Sequence, residues 1–251
     1  MRFLGVDLAW QGGASGYCCL QWQGQDLVVV ALDRACDTQE LLAWIDRDAP
    51  SAQAAMVAVD APLIIPNFRG MRSCDRQSHQ VLGRYHAGCY PANQQSPFAS
   101  HTTGFSQALS QRGFHHAPTI RPQQSGRFQI EVFPHATAIA LFQLDQIIKY
   151  KKGRLTERRR GLARLRELMT THLCHCEPPL RLQFPEALPT TGRDLKVLED
   201  QLDAILCAYT GASWWYWGSD RHWVLGSESF SPAPATTDAY LKTGYIVVPR
   251  R

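Results

Sequence analysis

The stretch that decides the fold is Arg2-Phe3-Leu4-Gly5-Val6-Asp7, an apolar run that ends on an acid. It is answered by 55–60 (AMVAVD), a second apolar run that ends the same way, on Asp60. Both read as buried strands, and an acid closing a buried strand is unusual because an unpaired carboxylate is expensive to bury. A third acidic element, 198–209 (LEDQLDAILCAY), reads as a helix carrying Asp200 and Asp203. Two strand-end acids and a helix presenting two more point to a site where a divalent cation, Mg²⁺ or Mn²⁺, offsets the cost of burial. Carboxylate oxygens suit such hard ions.

On that helix Asp200 and Asp203 project about 60° apart, while Leu198, Leu202, Ile205, Leu206 and Tyr209 form the opposite stripe. Glu199 is expected to face solvent. Glu131 lies in 128–133 (FQIEVF), where it reads either as an outward strand residue or as a third, bridging carboxylate at the same end of the sheet. The candidate catalytic set is therefore Asp7, Asp60, Glu131, Asp200 and Asp203, with Asp7, Asp60, Asp200 and Asp203 as metal ligands.

Working outward, strands at 2–9, 16–22 and 27–32 are separated by Gly12-Gly13 and Gln23-Gly24-Gln25, which suggests an antiparallel meander. Asp37 starts a helix, with Glu40 at the capping-box position and Leu41, Leu42, Trp44 and Ile45 as its apolar face. The strand at 55–60 is stopped by Pro62 and Pro66. Periodicity then fades from 64 to 125, too long a span for a passive loop, so it is expected to be an ordered insertion near the site. A strand at 127–133, a helix at 136–148, a basic segment at 149–160 and a further helix follow. The acidic helix at 196–209, a tryptophan cluster (Trp214, Trp215, Trp217) and strands at 222–225 and 245–248 complete the chain. This is the element order of a ribonuclease H-like α/β domain: a mixed five-stranded sheet flanked by helices, with a long insertion after the fourth strand, all in one domain over 1–251. The right-handed crossover rule places the Asp60 strand beside the Asp7 strand.

At 251 residues the chain can bury one large core. No apolar run approaches the roughly 20 residues of a membrane span, and MRFLGVDLAW has an acid in its first apolar stretch, unlike a signal peptide. The eight cysteines are scattered without paired zinc spacing, and Cys174-His175-Cys176 reads as a helix end, so a reducing cytoplasm is expected. A formal charge of +4 permits a nucleic-acid partner without demanding one. Arg72, Lys151, Arg154 and Arg158 are the candidate phosphate contacts, against the alternative of a merely solvated charge run. The histidines of the insertion form no zinc pattern, and the tryptophans read as core or interface. Oligomeric state is not legible.

Several segments resemble one family, the predicted nucleases with a ribonuclease H fold catalogued as domain-of-unknown-function family 429. They are Gly5-Val6-Asp7, Val59-Asp60-Ala61-Pro62-Leu63, Arg72-Ser73-Cys74-Asp75, Glu131-Val132-Phe133-Pro134, Tyr150-Lys151, 198–204 and 244–249. The acids also resemble the layout of Holliday-junction resolvases, with Asp60 where those carry Glu. The resemblance implies a metal-dependent nuclease of unknown nucleic-acid type, in which two ions about 3.5–4 Å apart activate a water and stabilise the leaving oxygen. Fold analogy alone leaves two alternatives. One is a phosphotransferase of the actin and sugar-kinase group, for which the chain supplies phosphate-binding glycine loops poorly. The other is a non-catalytic nucleic-acid or protein-binding adaptor.

Overall fold

The computed structural model describes residues 1–227 and 236–250. The chain opens with β1 (Arg2–Asp7), β2 (Ser15–Gln23) and β3 (Asp26–Ala35), paired antiparallel in sequence. Helix α1 (Thr38–Asp48) starts on an N-cap close to the expected capping box: Asp37 Oδ1 accepts from the Glu40 amide, while the Glu40 carboxylate accepts from the Cys36 amide, one residue before the cap. The chain then returns as β4 (Ala55–Val59), buried throughout and parallel to β1. Their register ends at Val6 opposite Val59, and the Asp60 amide donates to the Val6 carbonyl at 2.9 Å. Asp7 and Asp60 therefore leave the sheet side by side.

The 64–125 segment holds two helices, α2 (Ser73–Leu82) and α3 (Ala99–Gln111), and a two-residue strand β5 (His115–His116). Next come β6 (Arg127–Glu131), parallel to β4, then α4 (Pro134–Leu141) and α5 (Leu155–His172). After β7 (Leu180–Arg181) runs the long α6 (Gly192–Trp217), followed by β8 (His222–Leu225), α7 (Thr237–Thr243) and β9 (Ile246–Pro249). The main sheet has the order β5-β6-β4-β1-β2-β3-β7, and β8 and β9 form a separate pair. Its five central strands, with β2 alone running against the rest, have the expected ribonuclease H-like order. The two extra edge strands are only two residues long.

Two elements differ from the sequence reading. The helix expected at 136–148 stops at Leu141, where Gln143 takes a left-handed φ of 51°. The acidic helix, by contrast, runs past Tyr209 and absorbs the tryptophan cluster. Thr210 satisfies its hydroxyl on the Leu206 carbonyl, and Gly211 lies against Ala58 of β4, so residues that look like a stop are packed helix interior. Trp214 is buried and its indole donates to the Ala117 carbonyl.

Strand alternation sorts β1 and β4 onto two cores. Phe3, Met56 and Ala58 pack with α5 and α6 residues such as Leu162, Leu165, Leu202 and Leu206. Leu4, Val6, Val57 and Val59 pack on the other face with Leu41, Trp44, Phe105 and Leu109. Asp7 and Asp60 share the parity of Phe3 and Ala58, so both are directed to the α6 side. That helix lies in backbone contact with the sheet: a Cβ on Gly5 would stand 2.0 Å from the Ala204 carbonyl oxygen, and one on Gly16 would stand 2.2 Å from that of Asp200.

Candidate active site

Asp203 is the centre of the site. It is fully buried and meets two side chains from the segment between α4 and α5. The Tyr150 hydroxyl donates to its Oδ1 at 2.6 Å, and the Lys151 ammonium lies 2.7 Å from its Oδ2. The same ammonium stands 4.0 Å from Asp60 Oδ2, so one cation bridges a helix acid and a strand-end acid. His135 approaches from α4, its Nδ1 3.5 Å from the Tyr150 hydroxyl.

The electrostatics follow from crowding acids in a poorly solvated place. Burial pushes Asp60 up to about 7, with Lys151 pulling down and Asp203 and Glu131 pushing further up. Asp7 is raised well above the ordinary carboxylate range, again first by burial, then by Asp203, Asp60 and Asp200 against the opposing pull of Lys151. Burial alone would lower the Lys151 pKa, yet the surrounding Asp203, Asp7 and Asp60 hold it well above the usual value. His135 is pushed down to about 4 by burial and by Lys151, which keeps its ring neutral near pH 7. Three acids and one lysine leave the cluster short of positive charge.

Of the five candidate acids, Asp7, Asp60 and Asp203 gather here. The other two do not join them. Asp200 is buried, but Arg34 Nε sits 2.8 Å from its Oδ2 and Lys196 Nζ 2.8 Å from its Oδ1. The 60° helical offset is the reason: Asp203 points over β1 and β4, while Asp200 sits over β2, within reach of Arg34 on β3. Asp200 thus stands apart from the Lys151 cluster, its charge answered by two other cations. Glu131 is turned away by the pleat. Its neighbour Ile130 packs on the α6 side, so Glu131 faces the insertion, where Arg72 takes both carboxylate oxygens at 2.7 and 2.8 Å and the Leu63 amide donates at 3.0 Å.

The expected phosphate contacts divide similarly. Arg72 is 2 % exposed and also binds Asp75, so it is an internal clamp and cannot reach a nucleic acid. Lys151 belongs to the acidic cluster. Arg158 pairs with Glu199 at 3.4 Å, and Glu199, expected in solvent, is buried between Arg158 and Lys196. Arg154 is exposed at the start of α5. Sequence reasoning missed Tyr150 and His135 as site residues, and it named Lys151 as a phosphate contact, not as a partner of the acids. Tyr150-Lys151 was nevertheless one of the segments carrying the family resemblance, and that was the available signal.

A cation fits the chemistry of this donor set: hard oxygen donors with a deficit of positive charge. Among the described residues, no three His, Cys, Asp or Glu side chains stand pre-gathered as a cation cage. The Lys151 ammonium lies between Asp203 and Asp60. Beside Asp60 a cavity of about 40 Å³ opens, bordered by Trp10, Pro62, Tyr90, Glu131 and Phe133. That is room for an ion and a water or two, not for a nucleotide.

Among the described residues no helix is long and apolar enough to cross a membrane. No curated protein matches the chain. Residues 5–224, most of the chain, match the family described as protein of unknown function DUF429, and the chain belongs to that family.

Proposed function

We propose that this protein is a divalent-metal-dependent nuclease that hydrolyses phosphodiester bonds. The observation that carries the reading is the convergence of Asp7, Asp60 and Asp203, from two adjacent strand ends and one helix, around the Lys151 ammonium. Mg²⁺ or Mn²⁺ would be held by those three carboxylates, and when bound it supplies an activated water and a positive charge for the departing oxygen. Tyr150 fixes the Asp203 carboxylate through its hydroxyl, and neutral His135 lies against that hydroxyl. Lys151 balances the acids and offers a mobile positive charge where a phosphate must approach. The paired Asp200 and Glu199 hold α6 in place beside β3 and α5 rather than meeting substrate.

Nucleic acid is the partner this reading requires, with exposed Arg154 among the groups available for phosphate contact. The eight free cysteines suit a reducing, cytoplasmic setting. The test is cleavage of a panel of single-stranded, duplex, hybrid and branched nucleic acids with Mn²⁺. Wild type is expected to cut at least one member, and Asp203→Asn is expected to cut none while still binding it. A wild type that takes up Mn²⁺ yet neither binds nor cuts any member rejects the nuclease.

A further inference from the structure

An aromatic wall adjoins Asp60. The Trp10 indole donates to the Asp60 main-chain carbonyl at 2.9 Å, so its ring is tied to the strand that carries the acid. Phe98 packs on Trp10 with ring centres 4.7 Å apart, and Tyr90 meets both edge-on, at 6.3 Å from Trp10 and 6.1 Å from Phe98. Phe98 is buried, whereas Tyr90 is 68 % exposed. Tyr90 also borders the cavity that Asp60 lines.

The exposure is built in and held. The loop bearing Tyr90 is pinned by the Ala92 amide to Asp75, itself gripped by buried Arg72. It is zipped to the 66–70 loop by Gln94 N to Asn67 O, Asn67 Nδ2 to Ala92 O and Asn93 Nδ2 to Gly70 O. That second loop presents Phe68, 61 % exposed, with the Arg69 guanidinium 5.6 Å from its ring centre. Two exposed rings and a cation are thus carried on two hydrogen-bonded loops, with Tyr90 on the side of Asp60. No contact within the fold requires them to face water.

Resting on the nuclease reading, we infer that Tyr90, backed by Trp10 and Phe98, is a stacking platform for an unpaired nucleobase, so that the substrate is single-stranded nucleic acid. The cavity beside Asp60 is too small for a base, so a nucleotide whose phosphate reaches the carboxylates must leave its base outside. The exposed ring of Tyr90 is the surface it meets there. Arg69 on the neighbouring loop supplies positive charge for the phosphate chain beyond. A base inside a duplex has both faces covered by its neighbours and cannot use the ring, whereas an unpaired base can. Every base has a flat π face, so the platform discriminates strandedness and not sequence.

The experiment measures binding of three fluorescent oligonucleotides to the full chain, with Ca²⁺ in place of Mn²⁺ to suppress cutting. They are a single-stranded 12-mer, the same 12-mer with abasic sites, and its duplex. Wild type is expected to prefer the intact single strand over both others. Tyr90→Ala is expected to weaken the single strand about tenfold, the loss of roughly one stacked base, and to leave the abasic strand unchanged. Tyr90→Phe is expected to bind as wild type does. Thermal melting checks that Tyr90→Ala stays folded, as its exposure implies. Equal single-strand affinity in wild type and Tyr90→Ala, or a wild-type preference for duplex, overturns the platform and leaves the nuclease reading standing. A wild type that binds none of the three overturns both.

Discussion

Gly5 of β1 and Ala204 of α6 are in backbone contact: a Cβ on the glycine would stand 2.0 Å from the alanine carbonyl oxygen and 2.3 Å from the Ala208 nitrogen. The atoms in the way are main chain, so no side-chain rotation relieves the clash. The close approach sets the height of α6 above the sheet, and with it the position of Asp203 relative to Asp7. Gly5→Ala is expected to lower stability by about 1–3 kcal/mol, the usual cost of forcing a methyl into a filled core. It is also expected to blunt any metal response by lifting Asp203 from its partners. Urea denaturation with and without Mn²⁺ reads both effects. Unchanged values would mean that α6 does not rest on β1.

Ions should stabilise the fold by binding the native carboxylates and not the unfolded chain, by about 2.7 kcal/mol at a hundredfold excess over Kd. Asp7→Asn should fold, because Asn keeps the shape and takes one acid out of the crowded cluster, but should lose most of the Mn²⁺-dependent rise in Tm. Equal rises in wild type and variant would remove Asp7 from the site.

Lys151 balances Asp203 and Asp60 without metal. Lys151→Met should therefore melt lower than wild type in EDTA and gain more from Mn²⁺, because the ion then supplies all the compensating charge. An unchanged melting temperature in EDTA would return Lys151 to the role of a surface cation, as its place in a basic run first suggests.

Acid should destabilise the protein through its buried histidines. His222 is 1 % exposed, its Nδ1 bonds the Gly218 carbonyl, and burial lowers its pKa to about 4. The folded value lies below the unfolded value of about 6.5, so its contribution is present above pH 6.5 and is lost as pH falls through 4. The loss is on the order of 3 kcal/mol for this one ring. Urea unfolding at pH 7, 5.5 and 4.5 should show a steeper decline for wild type than for His222→Gln. Parallel declines would mean that His222 is already charged in the native state.

The strand-end acids were legible because 3–7 and 55–60 are apolar runs with a single terminal charge, and their shared parity with Phe3 and Ala58 follows from counting. Glu131 was not, because Gln129 and Glu131 share one face of 127–133, and only the packing of Ile130 on the α6 side shows where that polar face looks. The Asp200 and Asp203 spacing fixes an angle between two side chains but not the rotation of the helix about its axis. Gly5, Gly16 and Gly211 set that rotation through contacts far away in sequence. The part Lys151 plays lay hidden in a basic run without periodicity, where nothing local separates a lysine held between carboxylates from a free one. The Arg72–Glu131 pair spans 59 residues and has no local sequence signal that joins its two halves.

The Arg72 clamp has a consequence for how the chain can vary. Arg72 lies in the insertion and Glu131 in the central sheet, and each is buried with its charge answered by the other. A descendant that shed the 64–125 segment would strand the Glu131 carboxylate inside the domain, whereas one that lost Glu131 would leave Arg72 paired with Asp75. The central sheet cannot lose the segment without a second change, so what looks like an appendage is inherited as an organ of the core.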